Sequence, residues 1–172
     1  ERGVRFVQLF HGGGGGGAIY MDGTKSLSGE VRVVASRFTG NTTNQLGGAI
    51  FSYPEGTGSV HITTSTFDGN VSNTTGMGGA IYHQSANHVA LMTIDDTLFV
   101  NNRAIAVAAD GAGQGGAIWS TLATVVITNS TFTQNEASHA LNLPADDWHR
   151  GFGGAIRTSE NTTIVNSTIA GN

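Results

Sequence analysis

The sequence predicts an all-β protein, a parallel β-helix (β-solenoid) of about five coils with three short strands per coil, and three observations carry that prediction. A Gly-Gly-Ala-Ile block recurs five times, beginning at Gly16, Gly47, Gly78, Gly115 and Gly153. A second block ends on Phe38, Phe67, Phe99, Phe132 and, as a variant, Ile169, and three residues later each copy places an Asn: Asn41, Asn70, Asn102, Asn135 and Asn172. Between the two blocks runs an apolar alternation, Val31/Val33, Val60/Ile62, Met92/Ile94, Val125/Ile127 and Thr162/Ile164. Regular self-similarity over a few tens of residues is the signature of a stacked repeat.

Each element follows from its residues. Alternation with a period of two makes Val125 to Ile127 and its equivalents a strand with one face inward. The odd spacing from Ile127 to Phe132 breaks that parity, so the chain bends there, at the turn formers Asn129 and Ser130. Each copy thus reads as one strand on the GGAI block, one on the Val/Ile columns and one around the Phe. Three strands cannot bury a face alone, so successive copies must stack in parallel at about 4.8 Å, which makes five coils roughly 24 Å tall. The glycines provide backbone angles that a side chain forbids where the chain re-enters the sheet. Phe38, Phe67, Phe99 and Phe132 fill the interior as one ladder, and Asn41, Asn70, Asn102, Asn135 and Asn172 form a second ladder that turns inward and bonds neighbouring coils.

Composition excludes several classes. The chain has 26 Gly and 2 Pro in 172 residues and only 12% charged residues, a profile unlike that of disordered chains. Net charge is −4 and no run of Lys or Arg occurs, so no nucleic-acid partner is expected. No apolar stretch approaches the length of a membrane span, so no membrane insertion by this segment is expected, and ERGVRF is not a signal peptide. The absence of Cys removes disulfide scaffolds and Cys-ligated zinc. The six His show no metal-ligand spacing and are read as solvated. No cofactor and no metal site is expected. The run Gly12 to Gly17 lacks the following Lys and Ser/Thr of a phosphate loop and is read as a corner.

The pairing of GGAI with FxxN, on Gly47 to Ile50 with Phe67 to Asn70 and on their equivalents, resembles the repeat of the polymorphic outer membrane protein family. More broadly it resembles the secreted right-handed β-helix proteins of pectate-lyase-like fold, over roughly residues 12 to 172. The resemblance implies a right-handed coil and an extracellular or cell-surface location. It implies no single activity, because that superfamily includes adhesins, autotransporter passengers, filament proteins and polysaccharide-degrading enzymes.

The chain reads as one β-helix segment with repeats near 16–46, 47–77, 78–114, 115–152 and 153–172, and with residues 1–11 as the end of a preceding coil. Neither end shows a cap, which predicts an excerpt of a longer array or a subunit that stacks end to end with other copies. The loop between the ladder Asn and the next GGAI lengthens along the chain through 5, 7, 12 and 17 residues. Function on a solenoid sits on such insertions. The longest, 136–152, carries Asp146, Asp147, Trp148, His149 and Arg150, a candidate binding cluster that could equally cap the core with its leucines. A second candidate is the column just after the GGAI Ile, Tyr20, Phe51, Tyr82 and Trp119, an aromatic stripe suited to stacking on sugar rings or on another protein, with burial under loops as its alternative. Asp96, which aligns with Thr64, Asn129 and Asn166, reads as part of a polar corner rather than a catalytic pair with Asp95. No catalytic residue is assigned. The expected function is that of a non-catalytic extracellular structural or adhesive segment, as in a surface adhesin, an autotransporter-like passenger or a filament subunit, with carbohydrate or a host surface as further partners. The alternative is a carbohydrate-active lyase or hydrolase using the 136–152 loop.

Overall fold

The computed structural model describes residues 5–6, 15–22, 29–54, 56–107, 111–141, 143–144 and 147–172. The described chain is a stack of parallel strands forming a β-solenoid with four sheets running along its axis. Its one helical turn among the described residues is a 3-10 turn at Trp148–Arg150.

The first sheet holds the GGAI strands Ile19–Asp22, Ile50–Tyr53, Ile81–Gln84, Ile118–Thr121 and Ile156–Thr158. The second holds Glu30–Val34, Ser59–Thr63, Ala90–Asp95, Ala123–Thr128 and Thr162–Val165. The third runs through the Phe column, from Arg5–Phe6 and Arg37–Thr39 to Thr168–Ala170. Register is that of the repeat: Ile50 pairs with Ile19 and Ile81, Ile94 with Ile62 and Ile127, and Phe99 with Phe67 and Phe132.

A fourth sheet extends the expectation of three strands per coil. It comprises Thr42–Thr43, Val71–Thr74, Arg103–Ala106 and Glu136–His139, the residues directly after each ladder Asn. Its inward positions are small, Thr43, Ser72 and Ala104, all buried, so the sequence shows no large apolar alternation there and the strand reads as loop.

Side chains that alternate inward from the first three sheets form one core. Ile50, Ile81, Ile118, Val60, Ile62, Met92, Ile94, Val125, Ile127 and the four phenylalanines are all at or near zero exposure. Phe38, Phe67, Phe99 and Phe132 stack face to face at 4.7, 4.8 and 4.6 Å between centroids, with planes within 5° of parallel. The strand spacing itself sets that separation.

The two glycines of each GGAI block do different work. Gly47 sits at φ +65, where a Cβ would lie 2.0 Å from the carbonyl oxygen of Ile50. Gly48 has ordinary angles, yet a Cβ there would meet the carbonyl oxygen of Gly79 in the next coil at 2.0 Å. The first glycine is required by backbone conformation and the second by the close approach of two coils. A further left-handed corner is filled without glycine: Ala35, Thr64, Asp96, Asn129 and Asn166 all have φ between 46 and 50. This is the corner that breaks parity between the Val/Ile columns and the Phe.

Candidate functional site

The aromatic column projects from the outer face of the first sheet, since each member follows an inward Ile. Tyr20 and Phe51 stack at 4.8 Å, Phe51 and Tyr82 at 5.4 Å, and Tyr82 meets Trp119 at 4.9 Å with planes tilted by 45°. The guanidinium of Arg157 continues the column, 6.0 Å from the Trp119 ring and 4.8 Å from that of Phe152. Tyr82, in the middle, is buried, and burial pushes its phenol up to about 12, with Tyr53 adding to the shift. Tyr20 at one end is 57% exposed. Because the rings lie on one another, their faces are used within the column and mostly edges meet solvent. A sugar ring stacks on a face, so the geometry favours a packed outer rib over a continuous sugar platform.

The long loop builds a cleft. Asp147 caps the 3-10 turn Trp148–Arg150 by accepting from the backbone N–H of His149 at 2.8 Å, and its Oδ1 also lies 2.6 Å from His149 Nδ1. Those two contacts, the backbone one first, hold its carboxyl below the usual range. Asp147 and His149 thus form a local pair, and Arg150 faces an open cleft of about 510 Å³ that runs along the strand Glu136–His139 and is walled by Leu141, Leu143 and Gly151. Asp146 and the side chain of Trp148 lie outside the described residues. Among the described residues no three His, Asp or Glu converge in a metal-binding group. On the cleft's outer rim Glu136 pairs with Arg103 at 3.0 Å, and its carboxyl is held low first by the Ser138 hydroxyl and then by Arg103.

The ladder asparagines are brought into one line. Each uses its backbone N–H and its Nδ2 to donate to Oδ1 of the Asn one coil on: Asn41 to Asn70, Asn70 to Asn102, Asn102 to Asn135 and Asn135 to Asn172, at 2.8 to 3.1 Å. From the second coil on, Nδ2 also donates backwards to the carbonyl of the preceding Phe, as in Asn102 to Phe67 at 3.0 Å. Asn41, Asn70, Asn102 and Asn135 are buried, and Asn172 stands in the exposed last layer.

Sequence reasoning missed a second polar ladder. Ser36, Ser65, Thr97, Ser130 and Ser167 each stand two residues before the Phe or Ile169, and the backbone N–H of each of the first four donates to the hydroxyl one coil on at 3.1 to 3.3 Å. Every one of these hydroxyls donates to a carbonyl two residues earlier in its own coil. The signal was present, a Ser or Thr in that position of all five copies, but a Ser in a Ser/Thr-rich chain looks unremarkable.

His83 is the clearest departure from expectation. Read as solvated, it is fully buried, because it occupies an inward position two residues after Ile81, in register between Ser52 and Ser120. Nδ1 lies 3.2 Å from Ser52 Oγ, while Nε2 and Ser120 Oγ have no hydrogen-bond partner among the described residues. Burial alone lowers the imidazole to about 4. His139 is buried as well, with Nδ1 accepting from the backbone N–H of Leu141 at 2.9 Å. At the corner, Asp95 accepts from the Thr128 hydroxyl at 2.5 Å and from Asn129 Nδ2 at 2.8 Å, contacts that hold its carboxyl low in the order given. Asp95 is therefore engaged first with the next coil, with a smaller contribution from the backbone N–H of Asp96.

Three segments, residues 35–53, 64–84 and 96–121, match the Chlamydia polymorphic membrane protein repeat. The chain carries polymorphic membrane protein-like repeats. No curated protein and no solved structure matches the chain. The polymorphic membrane protein-like unit has a physical beginning and end: each matched segment starts on the left-handed corner residue, Ala35, Thr64 or Asp96, and stops on the last residue of a first-sheet strand, Tyr53, Gln84 or Thr121. One unit thus contains the hydroxyl, the Phe, the ladder Asn, the short fourth-sheet strand and the GGAI strand. The matched residues make up less than half the chain, and the 136–152 loop lies outside them.

Proposed function

We propose that this chain is a non-catalytic structural segment of a cell-surface protein, a rigid shaft of the kind used in a surface adhesin, an autotransporter-like passenger or a filament subunit. The observation that carries the reading is the set of ladders running through every layer, which fix successive coils in one register and suit a rod rather than a hinged machine. The polymorphic membrane protein repeat, named for membrane proteins, supports a surface location. Stacking on a further coil or copy is part of the proposal. In the layer 154–172, Ile164 and Ile169 are 42 and 46% exposed, whereas their equivalents Ile127 and Phe132 are buried, so a partner layer would cover apolar surface. Sedimentation and negative-stain imaging of the purified chain test this. Concentration-dependent end-to-end rods support it, and a monomer at all concentrations removes stacking from the reading.

The open cleft lined by Arg150 and Glu136, with the Asp147–His149 pair on the same loop, favours one second reading, a carbohydrate-active site on the long loop. Incubation with polyuronates decides between them. Release of unsaturated or shortened products would replace the structural reading with the enzymatic one.

A further inference from the structure

Six Asn-x-Ser/Thr acceptor sequences for N-linked sugar occur in the chain, at Asn41, Asn70, Asn73, Asn129, Asn161 and Asn166. Such a sequence takes a glycan in a folded protein when the carboxamide nitrogen has a hydrogen to give up and the hydroxyl two residues on can be reached. The fold closes the first three. Asn70 uses both hydrogens of its Nδ2, on Phe38 O at 3.1 Å and on Asn102 Oδ1 at 2.8 Å, and its Ser72 hydroxyl is buried and donates to Gln45 O. Asn41 is fully buried in the same ladder, and Thr43 is buried with it. In the third sequence Asn73 is half-buried in the fourth sheet, and the Thr75 hydroxyl donates to Gln45 O.

Asn129 differs on every count, and it lies inside the stack. It is exposed at the left-handed corner between the second and third sheets, with φ +50. Its Nδ2 donates one hydrogen to Asp95 Oδ1 at 2.8 Å, and among the described residues the other hydrogen has no acceptor. A glycosylated carboxamide keeps one N–H, so the Asp95 contact and a sugar can coexist. Thr131 opens the third-sheet strand on its outer face, because Phe132 points inward. Asn129 and Thr131 line an open groove of about 430 Å³ along the corner, together with Thr64, Thr66, Asp96 and Leu98. Leu98 is 37% exposed there, so the groove offers an apolar patch beside hydroxyls and a carboxylate. That mixture suits a sugar ring, which has an apolar face and a polar rim.

We propose that Asn129 is an N-glycosylation site whose first sugar lies in the groove along this corner. In the transfer, Asn129 Nδ2 forms a bond to the anomeric carbon of a nucleotide-activated hexose as that carbon's bond to the diphosphate oxygen breaks. The nucleoside diphosphate leaves, a base of the transferase takes the displaced proton, and nothing is oxidised or reduced. The site needs neither stacking of the last layer nor activity of the long loop.

The folded chain is incubated with a soluble glycosyltransferase specific for Asn-x-Ser/Thr sequences and a nucleotide-activated hexose, and occupancy at each Asn is followed by mass spectrometry. Each rate is divided by that of a synthetic peptide spanning the same acceptor, which removes the enzyme's own sequence preference. On that scale Asn129 should be modified at least tenfold faster than Asn41, Asn70 or Asn73. Thr131→Ala should abolish modification at Asn129 while leaving the circular dichroism of the chain unchanged. Similar scaled rates at Asn129 and Asn70, or an unmodified Asn129 in a chain whose peptide is modified, overturns the proposal. Nuclear Overhauser contacts between the hexose and the Leu98 methyl groups are expected in the modified chain, and their absence overturns the placement of the sugar in the groove.

Discussion

Asn70 and Asn102 are joined twice: the backbone N–H of Asn70, at 3.0 Å, and its Nδ2, at 2.8 Å, both donate to the one Oδ1 of Asn102. Asn102 in turn donates to Phe67 O and to Asn135. Replacing Asn102 with Ala therefore removes the acceptor of both Asn70 donors and the donor to Phe67 O in the preceding coil, while the backbone N–H at 102 still reaches Asn135 Oδ1. We expect Asn102→Ala to lower stability by about 3 kcal/mol, at roughly 1 to 3 kcal/mol per orphaned buried group. Asn102→Asp should also destabilise, because the carboxylate keeps the acceptor and loses both donations. Urea unfolding followed by circular dichroism measures both, and a loss under about 0.5 kcal/mol for Asn102→Ala would remove the ladder from the account of stability.

Glycine substitutions separate conformation from contact. Gly79→Ala should prevent correct stacking, because the new methyl would lie 1.9 Å from Gly116 O. Gly69→Ala has φ +64 but nothing within 4 Å of the new methyl, so it should fold and lose about 1 to 2 kcal/mol, the left-handed strain alone. Equal effects at the two positions would contradict the close approach of coils as the role of the second glycine.

Position along the Phe column should grade the effect of truncation. Phe99 is buried between two parallel rings, and Phe99→Ala should lose about 3 to 5 kcal/mol. Ile169, nearly half exposed in the last layer, should lose far less as Ile169→Ala when the chain is a monomer. If a partner layer covers it, the loss at Ile169 will rise with protein concentration.

Acid should weaken the solenoid through His83. Its folded value, about 4, lies below the ordinary 6.5, so between those values the unfolded chain binds a proton that the folded chain does not. Stability therefore falls as pH drops from about 6.5 to about 4, by a total of about 3 kcal/mol at 1.36 kcal/mol per pKa unit, and this contribution is flat above 6.5. Asp95, Glu136 and Asp147, whose carboxyls are held below the usual range, lose their own contributions at lower pH. His83→Ser would continue the hydroxyls of Ser52 and Ser120, and it should flatten the profile between pH 6.5 and 4. An unchanged profile in that variant would place the acid sensitivity elsewhere.

What could be read from the sequence was whatever the five copies repeat. The Phe, Ile and Asn columns recur at fixed offsets, and physics assigns a large apolar column to a core and an Asn at a corner to a ladder. The hydroxyl column recurs as faithfully, but Ser36 or Ser65 is common in composition and small in volume, so recurrence alone gave it no weight. The fourth sheet hid because Thr43, Ser72 and Ala104 fill its inward side without bulk. His83 hid for the opposite reason: it is the only imidazole in a column of Met21, Ser52, Ser120 and Thr158, and a polar residue suggests solvent until its parity with Ile81 is followed. The loop around Asp147 and Arg150 occurs once, so no second copy constrained it, and only coordinates show that Asp147 is occupied with capping His149 while Arg150 faces the cleft.

All the ladder carboxamides point the same way, with nitrogen toward higher residue numbers and oxygen toward lower ones. The axis of the molecule therefore has a sense, as a polar crystal does. A coil laid upside down after the Asn172 layer would set nitrogen against nitrogen along that line, so the ladder dictates the orientation, and not merely the position, of any layer that continues it.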